Sequence, residues 1–335
     1  MKASVVVGSG SEAKLELGDA PDPSPGPYEV LIEVAATAIN RADLLQRRGH
    51  YPPPPGASPI LGLECSGTIL EVGEGVEGWE PGARVCALLP GGGYAERATV
   101  DAGSLIPVPE HLSLTEAAGV PEVFLTCSLN LFQLGDASKG GWALVHGGGS
   151  GIGTAAIQLL RQSGIRTIVT AGSEEKCARC LELGADVAIN YRAGDFAPVV
   201  DEATGGEGVD VVLDSIGAPY LAQHLACLAM GGRLVLIGLM GGARVEIDLG
   251  LVLRKRLTVI GSTLRARPVA EKAGIVSFFL DRFGAALESN ELRPVIHQVL
   301  PLAQAQQAHE ILEASTHFGK VVLDVVGGDT GAAGA

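Results

Sequence analysis

The run Gly147-Gly148-Gly149-Ser150-Gly151-Ile152-Gly153 carries the most specific chemistry in this 335-residue sequence. Glycines packed this closely let a backbone turn tightly and approach a pyrophosphate. The apolar helical pattern over 151–163 that follows supplies free N–H groups and a favourable dipole to an anion. Gly148, Gly151 and Gly153 are the positions of closest approach, with Ser150 and Ile152 beside them. Glycine spacing alone is weak evidence. Here the run leaves an apolar strand pattern over 142–146 and opens a strand-helix series, and that context points to a dinucleotide site.

The end of the next strand, 166–171, decides which dinucleotide. An acid there would accept hydrogen bonds from a ribose 2′-OH and repel a 2′-phosphate. The sequence has Gly172-Ser173 instead, with Lys176 and Arg179 about one helical turn beyond. Ser173 and Lys176 suit a 2′-phosphate, so the expected cofactor is NADPH. Glu174 and Glu175 would weaken that pocket if they faced it.

The elements that must position these residues follow from periodicity. From 142 to 264 apolar strands (142–146, 166–171, 187–191, 209–214, 233–237, 257–262) alternate with helical patterns (151–163, 174–183, 218–230). That alternation predicts βαβ units, hence an α/β, doubly wound Rossmann domain with a parallel sheet covered on both faces. From Glu29 to about Leu114, short apolar runs at 30–35, 67–72 and 84–88 alternate with Gly/Pro-rich turns, the mark of a β-rich unit. The stretch 51–59, with four consecutive prolines, reads as a rigid loop rather than a polyproline ligand. Helical patterns over 269–288 and 302–314 and a strand over 320–326 are too small to stand alone and are expected to fold back on the N-terminal unit. The expected division is 1–123 with 266–335, and 124–265; the tail 327–335 reads as frayed.

Composition bounds the function classes. A formal charge of −14 repels phosphate backbones and anionic membranes, so nucleic acid is not an expected partner. No apolar run approaches the ~20 residues of a membrane span. The six cysteines are scattered, and the Cys177/Cys180 pair sits mid-helix with no second pair to complete a metal site. Reduced thiols and a cytoplasmic location are expected.

With these residues placed, the chain resembles the zinc-free quinone oxidoreductase branch of the medium-chain dehydrogenase/reductase superfamily, nearest its tumour-suppressor-inducible type, from about residue 1 to 326. The resemblance rests on separated motifs: Asn40-Arg41-Ala42-Asp43-Leu44, Pro53-Pro54-Pro55-Gly56, Ile60-Leu61-Gly62-Leu63-Glu64, Leu88-Leu89-Pro90-Gly91-Gly92-Gly93, Ser150 to Leu159, and Ile237-Gly238-Leu239-Met240. It implies a GroES-like catalytic domain beside the Rossmann domain, with NADPH in the cleft between them. Beyond the loop residues and Gly172, Ser173 and Lys176, it implies cofactor contacts at Asn40, Thr126, Tyr191, Ser215, Gly238, Leu239, Met240, Leu264 and Lys320. It also implies a homodimer formed by pairing edge strands of the nucleotide domain.

Zinc-dependent relatives hold their metal with a Cys near the Asn40 position and a His in a Gly-His-Glu segment. Here the segment is Gly62-Leu63-Glu64, and no cysteine lies between Cys86 and Cys127, so no metal is expected. The resemblance therefore implies reduction of a quinone by hydride or single electrons. The alternatives are reduction of 2-enal or enone double bonds, and a non-catalytic, crystallin-like NADPH-binding role. Asn40 and Tyr51, neutral donors, are the candidates for bonding a developing oxyanion. The plainer reading gives Asn40 a turn and Tyr51 a packing role. His146 reads as a satisfied structural histidine, and His50 stays open.

Overall fold

The computed structural model describes residues 1–138 and 140–327; of the tail expected to fray, 328–335 lie outside the described residues. The chain divides into two compact units, Met1–Glu122 with the segment from Arg265 onward, and Val123–Leu264. Elements are numbered along the chain.

The first unit is β-rich. A seven-stranded sheet runs β14 (Ile296–Pro301), β15 (Lys320–Asp324), β3 (Glu29–Ala38), β4 (Glu64–Val72), β5 (Arg84–Leu88), β7 (Leu105–Pro107), and β6 (Arg97–Asp101) pairs with β3. β3 is apolar and largely buried, and with Ile69, Val85 and Val100 it builds one core. A second core joins Leu44, Leu61, Tyr94 and Leu323 to helix α10 (Ala305–Ala314). Helix α1 (Arg41–Arg47) begins at Asn40, whose backbone N–H donates to Asp43 Oδ2 at 2.8 Å, so the acid at the third helical position closes the N-terminus. Two short helices, α2 (Leu114–Ala117) and α3 (Pro121–Cys127), follow β7; the 20-residue α9 (Val269–Glu288) matches its apolar periodicity.

The second unit is a six-stranded, all-parallel sheet in the order β10 (Val187–Asn190), β9 (Arg166–Ala171), β8 (Trp142–His146), β11 (Val209–Asp214), β12 (Leu228–Leu236), β13 (Thr258–Gly261). The order of connection reverses between β8 and β11, the point at which doubly wound sheets open a crevice at their strand ends. Helices α4 (Gly151–Gln162), α5 (Glu174–Leu183), α6 (Ala197–Thr204), α7 (Leu221–Cys227) and α8 (Leu249–Lys255) connect the strands. Leu144, Ile168, Phe196, Val212 and Leu234 are among the core residues.

Several elements depart from the periodic reading. The hairpin of β1 (Lys2–Val7) and β2 (Lys14–Asp19) has an irregular, half-exposed pattern that hides it in the sequence. β14 is mostly exposed and has no place in the periodic reading. The helix expected over 218–230 stops at Cys227, because Leu228 turns extended (φ −69°, ψ 139°) and the chain enters β12. Among the described residues no helix is long and apolar enough to cross a membrane.

Candidate active site

In the second unit the C-terminal ends of β8, β9, β11 and β12 carry the expected cofactor residues. Gly147 turns at φ 74°, and the Gly148 N–H donates to Thr170 O at 2.8 Å, pinning the loop to β9. Ser150 caps α4 by accepting from the Gly153 N–H at 3.0 Å. A Cβ on Gly153 would lie 2.3 Å from Gly147 O and 2.5 Å from Gly148 Cα, so the loop and helix approach as only glycine permits. The first amides of α4, those of Gly151 and Ile152, have no intrahelical acceptor, an arrangement that suits an anion.

At the end of β9, Ser173 caps α5 by accepting from the Lys176 N–H at 3.2 Å. Burial holds the Lys176 ammonium below its ordinary pKa, and the positive charges of Arg192 and Arg179 push the same way. These three cations form a basic cluster beside Gly172-Ser173. Glu174 does not oppose it directly: its Oε1 accepts from Asn190 Nδ2 at 2.7 Å, which draws the carboxylate toward β10. The Tyr191 hydroxyl packs over Gly172, where a Cβ would approach it to 2.8 Å. Sequence reasoning missed Arg192. The available signal was its place just past β10, which pairs in parallel with β9 and sets Asn190 opposite Ala171.

The β11 and β12 ends are laced together. Asp214 Oδ1 and Oδ2 accept from the Ile216 and Gly217 amides at 2.7 and 2.8 Å, while burial lifts its carboxyl pKa to about 6. The Met240 N–H donates to Ser215 O at 3.0 Å, and Gly238 packs against Ser215, leaving Leu239 and Met240 about half exposed. Thr126 and Leu264 are buried; Thr126 O accepts from Asn130 Nδ2 at 2.7 Å at the start of a π-helical stretch, Ser128–Leu134. His146 is the satisfied structural histidine of the sequence reading: its ring nitrogens meet Thr170 Oγ1 at 2.9 Å and His224 Nε2 at 2.8 Å. With Asp214 these two form the sole cluster of metal-ligand type among the described residues; it is fully buried, and its His224 Nδ1 lies 3.9 Å from Asp214 Oδ2 without a hydrogen-bond partner.

In the first unit Asn40 lies in a sealed polar network. Lys320 Nζ donates to Asn40 Oδ1 and Glu64 Oε1, each at 2.7 Å, and to Ile39 O at 3.0 Å. Asn40 Nδ2 donates to Glu64 Oε1 at 2.8 Å and Ala38 O at 3.3 Å. Both amide protons of Asn40 are thereby bonded within the protein, as are all three ammonium protons of Lys320, the buried countercharge of Glu64. Asp43, its pKa lifted to about 6 chiefly by burial, accepts from the Gly62 N–H at 3.2 Å and Tyr94 OH at 3.1 Å. Tyr51 is half-buried beneath the Arg265 guanidinium, 5.4 Å from its ring centre. His50 is exposed.

The alcohol dehydrogenase GroES-like domain signature matches residues 26–110, and the zinc-binding dehydrogenase signature matches 151–279. The quinone oxidoreductase of Rattus norvegicus is 32% identical over 306 residues, 90% of each chain. The chain belongs to the quinone oxidoreductase branch of the medium-chain dehydrogenase/reductase superfamily. Within the superfamily, the 2-haloacrylate reductase of Burkholderia sp is 33% identical, covering 90% of this chain and 92% of that protein. The structure of Escherichia coli quinone oxidoreductase complexed with NADPH superposes with a TM-score of 0.85 at 29% identity, over 97% of this chain and 99% of that one. Where zinc-dependent members carry a thiolate and an imidazole, this medium-chain reductase has Asn40 and Leu63, with the Lys320 ammonium bonded to Asn40.

Proposed function

We propose that this protein is an NADPH-dependent, zinc-independent reductase of quinones. The observation that carries the reading is the Lys320 ammonium bonded to both Asn40 and Glu64. A fixed cation at that point repels a metal ion, and the amide, alkyl and carboxylate groups around it are a poor zinc donor set. The acceptor must therefore be one that needs no Lewis acid. Quinones fit, because their reduced oxygen is delocalised and the protein has chiefly to orient the partners and exclude water.

NADPH supplies the reducing equivalents. The glycine loop and the first amides of α4 hold its pyrophosphate, and Ser173, Lys176 and Arg192 hold its 2′-phosphate. Tyr51 donates to the developing oxyanion, and Asn40 positions Lys320 and Glu64. The kinship with a 2-haloacrylate reductase favours a second reading, reduction of activated carbon-carbon double bonds on the same apparatus. We propose a homodimer through β13, an open sheet edge whose Val259 is exposed, as are Leu249 and Leu253 of α8, at 68% and 78%. Six free, buried cysteines suit a reducing cytoplasm.

Product analysis with NADPH, a quinone and an enone side by side tests the acceptor. Hydroquinone or semiquinone as the main product is expected; exclusive reduction of the enone would end the quinone reading.

A further inference from the structure

We propose that Glu122 is the proton donor of the reduction, an inference that rests on the reductase reading. Glu122 is the second residue of α3, and its N–H donates to Glu64 Oε2 at 2.8 Å, which ties it to the Asn40-Lys320-Glu64 network. The other acids of that network are committed and sealed. Glu64 is wholly buried and accepts from Lys320, Asn40 and the Glu122 amide; Asp43 is wholly buried and accepts from Asn40, Gly62 and Tyr94. Of the three acids only Glu122 is partly exposed, and among the described residues no donor hydrogen-bonds to its carboxyl oxygens. Its proton is the one in the cluster that no protein contact engages.

Its surroundings keep that proton in place. Burial is the main cause, and the negative charges of Glu64 and Asp43 add to it; Lys320 and Arg265 oppose, and the pKa is lifted to about 8. Tyr51 and Lys272 also face it electrostatically. A carboxylic acid that is neutral near neutral pH, beside the candidate oxyanion donor Tyr51, has the properties of a general acid. The step balances with one proton. The Glu122 O–H bond breaks and leaves its electron pair on the carboxylate, while an O–H bond forms on the quinone oxygen. Bound NADPH would supply the hydride that, with this proton, completes the hydroquinone, and water restores the Glu122 proton. For an enone, the same proton goes to the α-carbon.

The test compares wild type, Glu122→Gln and Glu122→Asp, with melting temperature as a folding control. Wild-type turnover of NADPH with 1,2-naphthoquinone should decline as pH rises through about 8. In Glu122→Gln, kcat should fall roughly 10²-fold at neutral pH and lose that alkaline limb. Glu122→Asp should recover part of kcat with the limb displaced. The readout independent of turnover is infrared: a protonated-carboxyl carbonyl band in the wild-type-minus-Gln difference spectrum, vanishing through about pH 8. If the wild type turns over and Glu122→Gln keeps its kcat and alkaline limb, the Glu122 assignment alone falls. If the wild type oxidises NADPH with no acceptor, the reductase reading falls and takes the assignment with it.

Discussion

The two units use charge in opposite ways. The nucleotide unit presents cations with solvent access, Lys176 and Arg192, beside a strand end, and leaves the first amides of α4 without an intrahelical acceptor. The first unit seals its cation: Lys320 is 3% exposed and every proton of its ammonium is bonded to a neighbour. Charge at the surface of a strand end faces solvent, where a ligand arrives. A buried ion pair acts on the fold and on the electrostatics of the groups around it.

That contrast is most directly broken by removing one cation from each unit. Lys320→Met leaves Glu64 buried without a countercharge and should cost about 3–5 kcal/mol of stability, read from denaturant midpoints. The double variant Lys320→Met/Glu64→Leu should recover much of that loss. Lys176→Met should cost under about 1 kcal/mol of stability. A Lys320→Met protein as stable as wild type would mean that the network holds no real ion pair.

The second effect belongs to the ligand. Lys176→Met and Arg192→Met should each weaken NADPH by about 1.5–3 kcal/mol, roughly 10- to 100-fold in Kd, with NADH little changed. Calorimetric titration of both cofactors checks this; equal losses for NADH and NADPH would remove the 2′-phosphate assignment.

A smaller effect is shared between the units, because each buries a neutral histidine. His224 and His309 are held down to about 3, burial being the main cause. Between their ordinary pKa near 6.5 and that value, the unfolded chain binds protons that the folded chain refuses. Stability should therefore fall as pH falls through this window, by about 1.4 kcal/mol per pH unit per histidine at most. Asp214 and Asp43, lifted to about 6, oppose this as they take up protons. His309→Gln should flatten the slope of unfolding free energy against pH; an unchanged slope would show that His309 titrates normally.

The smallest effect tests Tyr51. Tyr51→Phe should lower kcat with quinones about tenfold, or ~1.4 kcal/mol, and unchanged turnover across several quinones would remove Tyr51 from the mechanism.

The same contrast explains what could be read in the sequence. The phosphate loop was legible because its shaping contacts are local: Ser150 and Gly153 are three residues apart, and the glycines stand between a strand and a helix. The buried Asn40-Lys320-Glu64 network was not. Lys320 meets Glu64 and Asn40 across 256 and 280 residues, so no spacing announces that Asn40 has lost its donors or that Lys320 is sealed. Glu122 is linked to Glu64 across 58 residues and has no local motif. Arg192 lies between these cases, since it needed only the pairing of β10 with β9. Elements with continuous apolar cores, such as β8 and α9, were read closely, whereas the half-exposed β1, β2 and β14 left no periodic trace.

The measurement that tests the central claim most directly is oxidation of NADPH against NADH by the purified, chelator-treated protein, with 1,2-naphthoquinone as acceptor. The account expects NADPH to be consumed faster than NADH at a rate the chelator does not change. A rate abolished by chelation and restored by zinc would contradict it, because a metal would then occupy the position assigned to the Lys320 ammonium.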